Sequence, residues 1–501
     1  MGCATQLSQK PPNDILYEEN LEKPVLAKKI TPLRVCIIGS AHAGTAAAVT
    51  LRNFDKRMKI TVFERNNCIS FLQCGIHLAI MDNCANIDKM FYNSVDNLKQ
   101  SGIIVNYLCE VQQIDYGTRT VFYKDLRTDQ LLTEEYDKLI ISLGSKPQIP
   151  RFLRNANNRI LWCKNYDDTH KLLALRDSKI AILGAGPIGA ELAYAFTVSN
   201  SQVYLIDQSS RILQKYFIDF YTDILEEQFE ERGCKILLND EIKDVNCTEN
   251  GVEIVYGKQR IEVDYVILAA GFAPNNKIVF QSDVLKQMKH TNYVIDVNSK
   301  QETSIANVYA AGDCCCIRHN ISQSNVYSPL ATNAIRQGTI AAYQMLGYEH
   351  IQAHGTQGSF GMHIFDYCIA CTGLSMEEAA HQQMKNVSKL VLSEQIIRNF
   401  QHNDDFIGSI TLLYNEESRA ILGCQVISSL DLTGFIDVVS LAISANMTVN
   451  ELGMSEWCYN PRISQFLSLV QQICLVSSIQ IPVFLENTDD EGSQQVLSQN
   501  Q

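Results

Sequence analysis

One cysteine of the chain stands in a context that suits redox chemistry. Cys74 lies in the segment Ser70-Phe-Leu-Gln-Cys74-Gly75, and the apolar residues that follow can begin a helix. A helix N-terminus stabilises a thiolate and lowers the pKa of the thiol, and the thiolate is the nucleophilic form of cysteine. We therefore expect Cys74 to be a catalytic residue. Most of the seventeen cysteines stand instead in apolar runs, such as Cys36 in Val35–Ile38, and are expected to pack as small hydrophobic residues.

A second candidate, His42, lies in the glycine-rich segment Gly39-Ser-Ala-His42-Ala-Gly44. Histidine changes protonation near neutral pH, so it can hydrogen-bond to a thiolate or deliver a proton. A histidine at the start of a helix is also common as an ordinary polar residue. The sequence leaves both interpretations open.

A pattern of strand, turn, helix and strand occurs twice in the chain, and its first copy contains His42. Each copy has a β-branched strand, a glycine-rich turn, an alanine-rich helix and a second strand that ends in an acid, although Ala41 replaces the middle glycine of the first copy. The glycines let the backbone approach a pyrophosphate, the helix N-terminus faces its charge, and the acid accepts hydrogen bonds from a ribose. The pattern predicts two dinucleotide-binding units. Their residues are Gly39, Gly44 and Glu64 in the first, and Gly184, Gly186, Gly189 and Asp207 in the second.

The pattern along the chain predicts an α/β fold with two Rossmann-like dinucleotide-binding domains and a C-terminal α+β domain. After about residue 355, period-2 strands and an amphipathic segment replace the repeated pattern. The predicted boundaries are 1–31 for a flexible extension, 32–150 with 282–350 for the first nucleotide domain, 151–281 for the second, 351–476 for the third domain and 477–501 for a loose tail.

Composition argues against several functional classes. The 501 residues contain 42 Lys and Arg against 55 Asp and Glu, so the net charge of −13 lacks the basic surface that drives nucleic-acid binding. The most apolar stretches are shorter than the roughly 20 residues that a membrane helix needs. We therefore expect no nucleic-acid partner and no transmembrane segment. No metal site is expected either, because Cys368-Ile-Ala-Cys371 lies in a strand-like run without a second ligand pair.

The cysteines and the N-terminus bear on location. A chain of this length needs no disulfide framework, and no secretory leader precedes its cysteines, so we expect a reducing, cytoplasmic compartment. Acylation of Gly2 and Cys3 would attach the protein to a membrane surface. The usual motif has Ser or Thr where this chain has Gln6, and an unmodified start is the favoured interpretation.

Taken together, the motifs resemble those of the single-cysteine flavoprotein NADH oxidases and NADH peroxidases, in the pyridine nucleotide-disulfide oxidoreductase superfamily. The resemblance extends from about Pro32 to Leu475, and Ser70–Gly75 is its most specific part. The segments that carry it are 39–44, 70–76, 184–189, Ala311-Gly312-Asp313 and 330–338.

The resemblance implies FAD in the first unit, NADH in the second and a homodimer formed through the third domain. Gly39 and Gly44 would then hold the FAD pyrophosphate, and Glu64 its adenosine ribose. Asp313 would bind the ribityl chain, and the backbone near Ala331 would lie beside the flavin pyrimidine, where a positive helix end stabilises the reduced ring. The residues that would hold NADH are Gly184, Gly186, Gly189 and Asp207.

The resemblance also implies a reaction. Two-thiol relatives carry a second cysteine five positions after the first, where this chain has Ala79. A solitary thiolate beside a flavin favours reversible oxidation to sulfenic acid. The implied activity is the reduction of dioxygen to water by NADH, with Cys74 cycling between thiolate and sulfenic acid. The charge of Asp207 would favour NADH, because it repels the 2′-phosphate of NADPH.

Two alternatives remain open at this point. An NADH peroxidase, or a coenzyme A disulfide or persulfide reductase, would use the same cysteine with another oxidant. A non-catalytic regulator would bind FAD and NADH without turnover. The acceptor is open because Pro187 replaces a common tyrosine and because Trp457–Ile463 departs from the family's segment beside the partner's active site.

Overall fold

The structure, a computed structural model, describes residues 32–81, 87–155, 157–279, 288–397, 406–460 and 467–479. The elements of its first part are β1 (Arg34–Ile38), α1 (His42–Phe54), β2 (Lys59–Glu64), a 3-10 turn (Gln73–Gly75), α2 (Ile76–Met81), a 3-10 turn (Ile87–Met90), α3 (Val95–Gln100), β3 (Ile104–Tyr107), β4 (Cys109–Asp115), β5 (Thr120–Asp125), β6 (Leu131–Glu135), β7 (Lys138–Ile141), β8 (Ser145–Pro147), β9 (Leu153–Asn155), β10 (Ile160–Trp162) and α4 (Tyr166–Leu173).

The middle part repeats the opening sequence of strand, helix and strand. Its elements are β11 (Lys179–Leu183), α5 (Pro187–Val198), β12 (Gln202–Ile206), α6 (Asp219–Glu231), β13 (Lys235–Leu237), β14 (Ile242–Cys247), β15 (Val252–Tyr256), β16 (Gln259–Val263), β17 (Tyr265–Leu268) and β18 (Phe272–Pro274).

The last part contains short strands, one long helix and then an antiparallel sheet with helices. Its elements are β19 (His290–Thr291), β20 (Val294–Ile295), β21 (Val308–Ala310), β22 (Ile317–Arg318), β23 (Asn325–Val326), α7 (Ala331–Met345), β24 (Phe360–Ile364), β25 (Tyr367–Gly373), α8 (Met376–His381), β26 (Val387–Ile397), β27 (Phe406–Asn415), β28 (Ile421–Ser428), α9 (Gly434–Ser444), α10 (Val449–Gly453) and α11 (Leu469–Ile479).

Two five-stranded parallel sheets have matching strand orders. The first runs β21-β7-β1-β2-β3 and the second β10-β17-β11-β12-β13. The central strands are buried apolar runs, Val35–Ile38 in the first sheet and Ile180–Leu183 in the second, as expected where helices cover both faces of a parallel sheet. In both sheets the first strand ends at a glycine turn, so each turn lies at the carboxyl edge where such sheets bind ligands.

The C-terminal part is a five-stranded antiparallel sheet in the order β24-β25-β28-β27-β26. Helices α9, α10 and α11 bury their apolar residues against one face of it. The other face contributes Ile369 and Ile427 to the core around the second parallel sheet. The predicted class, two Rossmann-like sheets followed by an α+β domain, is therefore confirmed.

Candidate active site

The first glycine turn is too crowded for any other residue at two of its positions. Gly39 has a φ of +97°, and a Cβ there would lie 2.2 Å from the carbonyl oxygen of Ser142. A Cβ on Gly44 would lie 1.9 Å from the carbonyl oxygen of Gly39. Glycine permits both the left-handed backbone and the close approach. The turn thereby aims the N-terminus of α1, which begins at His42, at the cleft beyond β1.

Glu64 fixes this turn from the end of β2. Its carboxylate accepts hydrogen bonds from the backbone N–H and the hydroxyl of Ser40, both at 3.0 Å. The side-chain amide of Asn66 donates to the other carboxylate oxygen at 2.6 Å. The acid predicted to bind a ribose therefore also holds the phosphate-loop backbone, and it lies on the cleft wall.

The second glycine turn repeats this construction. Gly184 has a φ of +114°, and a Cβ on Gly189 would lie 1.8 Å from the carbonyl oxygen of Gly184. Asp207 accepts from the backbone N–H of Ala185 at 2.7 Å, as Glu64 does from Ser40. The middle glycine is different, because a Cβ at that N-cap of α5 would meet no atom within 4 Å.

A long cleft follows the carboxyl edge of the first sheet and, with its mouth, encloses about 1330 Å³. It brings together four of the predicted residues, Gly39, His42, Glu64 and Asp313. Gly44 and Ala331 do not line the cleft, although their helices α1 and α7 contribute other residues to its wall. The residues predicted for NADH, Gly184, Gly186, Gly189 and Asp207, belong to the second sheet and do not line this cleft.

A lysine that sequence reasoning missed completes the Asp313 end of the cleft. Ser145 donates to the Asp313 carboxylate at 2.6 Å, and Lys164 lies 2.9 Å from the Ser145 hydroxyl and 3.6 Å from Asp313. The Lys164 ammonium also lies 4.5 Å from the centre of the Phe272 ring. These contacts join four distant parts of the chain, so no local motif marked Lys164 or Ser145.

His42 presents an unpaired nitrogen in the buried wall of the cleft. Its ring stacks on Tyr92 with centroids 5.1 Å apart, and its Nε2 is buried without a hydrogen-bond partner among the described residues. Burial lowers the pKa of His42, so the ring is neutral at pH 7. A buried polar atom without a partner is costly. An orphaned nitrogen beside a glycine cradle fits a polar cofactor in this cleft.

Cys74 is held beside the cleft by the residues that precede it. Ser70 donates its backbone N–H to the carbonyl of Ser40 in the glycine turn, and its hydroxyl lies 2.8 Å from that of Thr45 in α1. Gln73, the neighbour of Cys74, lines the cleft. Cys74 itself keeps an exposed surface, and Ala79 is buried five positions later. The loop therefore places Cys74 directly after a residue of the cleft wall, although Cys74 itself does not line the cleft.

The prediction that the pKa of Cys74 is lowered overall is wrong. The pKa of the thiol is raised, chiefly because protein atoms remove water from it and next because of the nearby carboxylate Glu191; Lys164 opposes this. Cys74 lies in a 3-10 turn ahead of α2, which has only six residues, so the helix adds little positive potential.

Helix α7 lies against the phosphate-loop helix and begins at Ala331, two residues after Pro329. Gln337 accepts from the backbone N–H of Gly312 and donates to the carbonyl of Cys316. A Cβ on Gly338 would lie 2.1 Å from the carbonyl oxygen of Ala43 in α1. Sequence reasoning missed both Gln337 and Gly338, although they stand in the motif that suggested Ala331.

Comparison with known proteins decides the family. The model for pyridine nucleotide-disulphide oxidoreductases matches residues 33–338, and the dimerisation-domain model of the same family matches residues 360–469. The chain belongs to the pyridine nucleotide-disulphide oxidoreductases. Within that family it is 33% identical over 450 residues to an NADH oxidase of Enterococcus faecalis, covering 88% of this chain and 99% of the relative. An NADH oxidase of Streptococcus pyogenes is 32% identical over 450 residues, covering 86% and 96%.

Solved structures agree with this assignment. The water-forming NADH oxidase from Lactobacillus brevis, bound to NADH, matches this oxidoreductase with a TM-score of 0.84 and 29% identity, over 89% of this chain and 98% of that one. A NAD-dependent persulfide reductase from A. fulgidus matches with a TM-score of 0.83 but 22% identity, over 89% and 83%, which shows the fold alone. The resemblance to the NADH oxidases that the sequence motifs indicated is confirmed.

Other expectations concern cysteines and membranes. Among the residues that the structure describes, no cluster of His, Cys, Asp or Glu is arranged to hold a metal ion. Cys368 and Cys371 lie in strand β25, in keeping with packing. No helix in the described ranges is long and apolar enough to cross a bilayer. Gly2 and Cys3, where an unmodified start was favoured over acylation, lie outside the described residues, as does the tail from 480 onwards.

Proposed function

We propose that this protein is an FAD-dependent NADH oxidase that reduces dioxygen to water through Cys74. The observation that carries the proposal is the position of Cys74, an exposed thiol that directly follows Gln73, a residue on the wall of the long cleft bounded by the first glycine turn. Identity above 30% to NADH oxidases across most of the chain supports the same reaction.

FAD would occupy the cleft of the first sheet. The crowded glycines Gly39 and Gly44 leave backbone N–H groups at the start of α1 free to bind a pyrophosphate. Glu64, already fixed by Ser40, would accept from the adenosine ribose. Asp313 would bind the ribityl chain, and the start of α7 at Ala331 would face the pyrimidine side of the ring.

NADH would bind to the second glycine turn. Gly186 leaves open space at the N-cap of α5, where a pyrophosphate can approach, while Gly184 and Gly189 make the turn possible. The carboxylate of Asp207 would bind the ribose hydroxyls and repel the 2′-phosphate of NADPH. The pairing of FAD with the first unit and NADH with the second is the one that the family resemblance implies.

The reaction divides between cofactor and protein. Bound FAD would supply the acceptance of hydride from NADH and the transfer of electron pairs to dioxygen, chemistry that side chains lack. The Cys74 thiolate would attack hydrogen peroxide, so that an S–O bond forms, the O–O bond breaks and the leaving hydroxide takes a proton to become water. A second electron pair from NADH would return the sulfenic acid to thiolate and release the second water. His42, neutral and unpaired at Nε2, would hydrogen-bond to the reacting oxygen.

The active form would be a homodimer. The match to the dimerisation domain covers residues 360–469, and that region exposes large apolar side chains. Leu441 on α9 is 70% exposed and Met454 after α10 is 78% exposed. Apolar side chains that extend into solvent are typical of a surface covered by a second copy.

Product analysis tests the proposal. Purified protein with its flavin quantified should consume two NADH for each dioxygen and release no hydrogen peroxide. Cys74→Ser should keep its flavin and divert the reaction to released hydrogen peroxide, because the serine hydroxyl cannot accept the peroxide oxygen. A variant that still forms water in full yield would exclude the role of Cys74.

The same assay separates the alternatives. Activity only with added hydrogen peroxide or coenzyme A disulfide would indicate a peroxidase or a disulfide reductase. Absence of NADH-dependent flavin bleaching would indicate a non-catalytic binding protein.

A further inference from the structure

An aromatic ring lies against His42, and none of the roles above uses it. The centroids of the His42 and Tyr92 rings are 5.1 Å apart, and the two planes differ by 8°. This separation and angle are those of a stacked aromatic pair, which gains free energy beyond the area that it buries. His42 begins α1, whereas Tyr92 lies between the second 3-10 turn and α3, so no local sequence pattern predicts the contact.

The His42 ring is held by packing rather than by a hydrogen bond. Its Nε2 is buried without a partner, and no hydrogen bond to either ring nitrogen is found among the residues that the structure describes. A reactive histidine is often oriented by a hydrogen bond from its second ring nitrogen to a carbonyl or a carboxylate. In this chain a neighbouring ring takes the place of that hydrogen bond.

Tyr92 belongs to the same local structure as the Cys74 loop. Its backbone N–H donates to the carbonyl of Ser70 at 3.1 Å. The residues beside them, Phe71 and Phe91, form an antiparallel β-bridge, and the centroids of their rings lie 5.3 Å apart. The segment that carries Tyr92 therefore runs alongside the chain that leads to Cys74, and its ring moves only with that loop.

Ser70 connects Tyr92 to the glycine turn that carries His42. Its φ of +56° lies in the left-handed region, which is unfavourable for a residue other than glycine. Its N–H donates to the carbonyl of Ser40 at 2.9 Å, its carbonyl accepts from Tyr92, and its hydroxyl lies 2.8 Å from that of Thr45. The turn, the loop and Tyr92 are thus joined at one residue, which fixes the position of the Tyr92 ring relative to the start of α1.

A stacked neighbour leaves the nitrogens of the imidazole available. Burial lowers the pKa of His42 and raises the pKa of Tyr92, so both rings are uncharged at neutral pH. A neutral imidazole has one N–H donor and one nitrogen acceptor, and both lie in the plane of the ring. Tyr92 contacts the face of the imidazole and competes for neither. The contact can therefore orient His42 without using the nitrogen that would meet a peroxide oxygen.

We propose that Tyr92 is the positioning residue of His42, and that its ring holds the imidazole with Nε2 directed at a peroxide oxygen that reacts with Cys74. This inference rests on the proposed function and names the side chain through which His42 performs its part in it. The Tyr92 hydroxyl is buried without a partner among the described residues, so the aromatic ring supplies the effect. Tyr92 then acts on the reaction only through His42.

The test is the rate at which hydrogen peroxide converts Cys74 to sulfenic acid in the flavin-loaded protein without NADH. The product is trapped with dimedone and measured by mass spectrometry of the Cys74 peptide. His42→Leu should lower this rate by about 100-fold, as expected for loss of a group that assists proton transfer. Tyr92→Leu should lower it by about tenfold, because a misplaced imidazole is less effective. In the His42→Leu background, Tyr92→Leu should change the rate by less than about twofold.

A conservative variant and a matched control separate positioning from a general loss of structure. Tyr92→Phe keeps the ring and should keep the wild-type rate within about twofold. Tyr116 is also half-buried, and its hydroxyl also lacks a partner among the described residues, but it packs against the core around Val121 instead of against His42. Tyr116→Leu should therefore leave the rate unchanged. Alkylation of Cys74 by iodoacetamide, which measures access to the sulfur, should be equal in the wild type and in Tyr92→Leu.

Tyr92→Met provides a second variant that does not depend on the folding of the first. Methionine fills the same space with a flexible apolar side chain and no ring. It should reproduce the loss expected for Tyr92→Leu, and a wild-type rate in Tyr92→Met would contradict a role for the ring.

Three further results would overturn the inference. They are equal losses from Tyr92→Leu with and without His42, a loss in Tyr92→Phe as large as in Tyr92→Leu, and a rate in Tyr92→Leu equal to that in Tyr116→Leu. A protein that forms water from dioxygen but gives one of these results keeps the proposed function and loses this inference. A protein that does not reduce dioxygen, yet shows the non-additive losses, loses the proposed function and keeps the positioning of His42 by Tyr92. Absence of any sulfenic acid at Cys74 in the wild-type protein would exclude both.

Discussion

The two dinucleotide-binding units build the same turn from different residues. In each, the first glycine takes a positive φ, the third cannot carry a Cβ, and the acid of the second strand accepts from the N–H that follows the first glycine. Of the three glycine positions, only the middle one differs, with Ala41 in the first unit and Gly186 in the second, and both are the N-cap of their helix. A Cβ there meets no protein atom in the second unit. The fold therefore requires the first and third glycines. At the middle position only a bound ligand could restrict the size of the side chain.

A second difference lies in what covers each unit. Helix α7 approaches α1 so closely that Gly338 meets the backbone of Ala43, and Gln337 ties the same helix to the turn before Asp313. The first unit is thus enclosed by a segment almost 300 residues further along the chain. We therefore expect the FAD of the first unit to stay bound during purification, whereas the NADH of the second unit should exchange with free nucleotide.

The largest effect is expected from filling the third glycine. Gly44→Ala and Gly189→Ala each place a Cβ within 2 Å of a carbonyl oxygen, so the backbone must shift. Each should lower the free energy of unfolding by at least about 2 kcal/mol. Gly44→Ala should be purified without flavin, and Gly189→Ala with flavin but with weak NADH binding, as measured by absorbance and by titration. If Gly44→Ala instead weakened NADH binding and Gly189→Ala lost its flavin, the assignment of the two cofactors to the two units would be reversed.

Gly338→Ala should damage the first unit alone. Its Cβ would lie 2.1 Å from the Ala43 carbonyl oxygen, which pushes α7 away from α1. We expect about 1–3 kcal/mol of destabilisation and faster release of flavin on dilution. Gly434→Ala, where a Cβ meets nothing within 4 Å, is the matched control. Equal flavin release from the two variants would contradict the enclosure of the cofactor by α7.

Asp207→Asn should change the choice of nicotinamide cofactor. Removal of the charge should narrow the preference of kcat/KM for NADH over NADPH by about tenfold, or 1.4 kcal/mol. Glu64→Gln, the corresponding change in the first unit, should leave that preference unchanged and weaken flavin retention. An altered NADPH preference in Glu64→Gln would argue against the division of cofactors between the units.

The smallest effects are expected at the middle position. Glycine is a better N-cap than alanine, so Ala41→Gly should stabilise and Gly186→Ala should destabilise the protein by less than about 1 kcal/mol each. Thermal unfolding measures both changes. The KM for NADH of Gly186→Ala should rise by less than about threefold, since the first unit functions with alanine in this place. A larger rise would show that the NADH pyrophosphate approaches its turn more closely.

The sequence was sufficient for the turns because the glycines and the acid that mark each turn lie in one short stretch of the chain. Gly39, Gly44 and Glu64 lie within one unit, and the clash that makes each glycine necessary arises inside that unit or one strand away. Lys164 and Ser145 could not be found in this way, since they meet Asp313 only when distant segments pack.

The protonation of Cys74 shows a different limit. A helix after the cysteine was correctly expected, but burial of the thiol and, next, the carboxylate of Glu191 on α5 raise the pKa of Cys74 instead of lowering it. Electrostatics at a site depends on everything that surrounds it, and local spacing records only part of that environment.

Lys164 follows β10, an edge strand of the second parallel sheet, yet its ammonium reaches the Asp313 carboxylate beside the first. Lys164 is thus part of the second sheet by its backbone, but its charge acts at the site beside the first sheet. By thermodynamic linkage, a ligand that binds with the help of this ammonium must also stabilise the contact between the two parallel-sheet units, and loss of the ligand must weaken that contact.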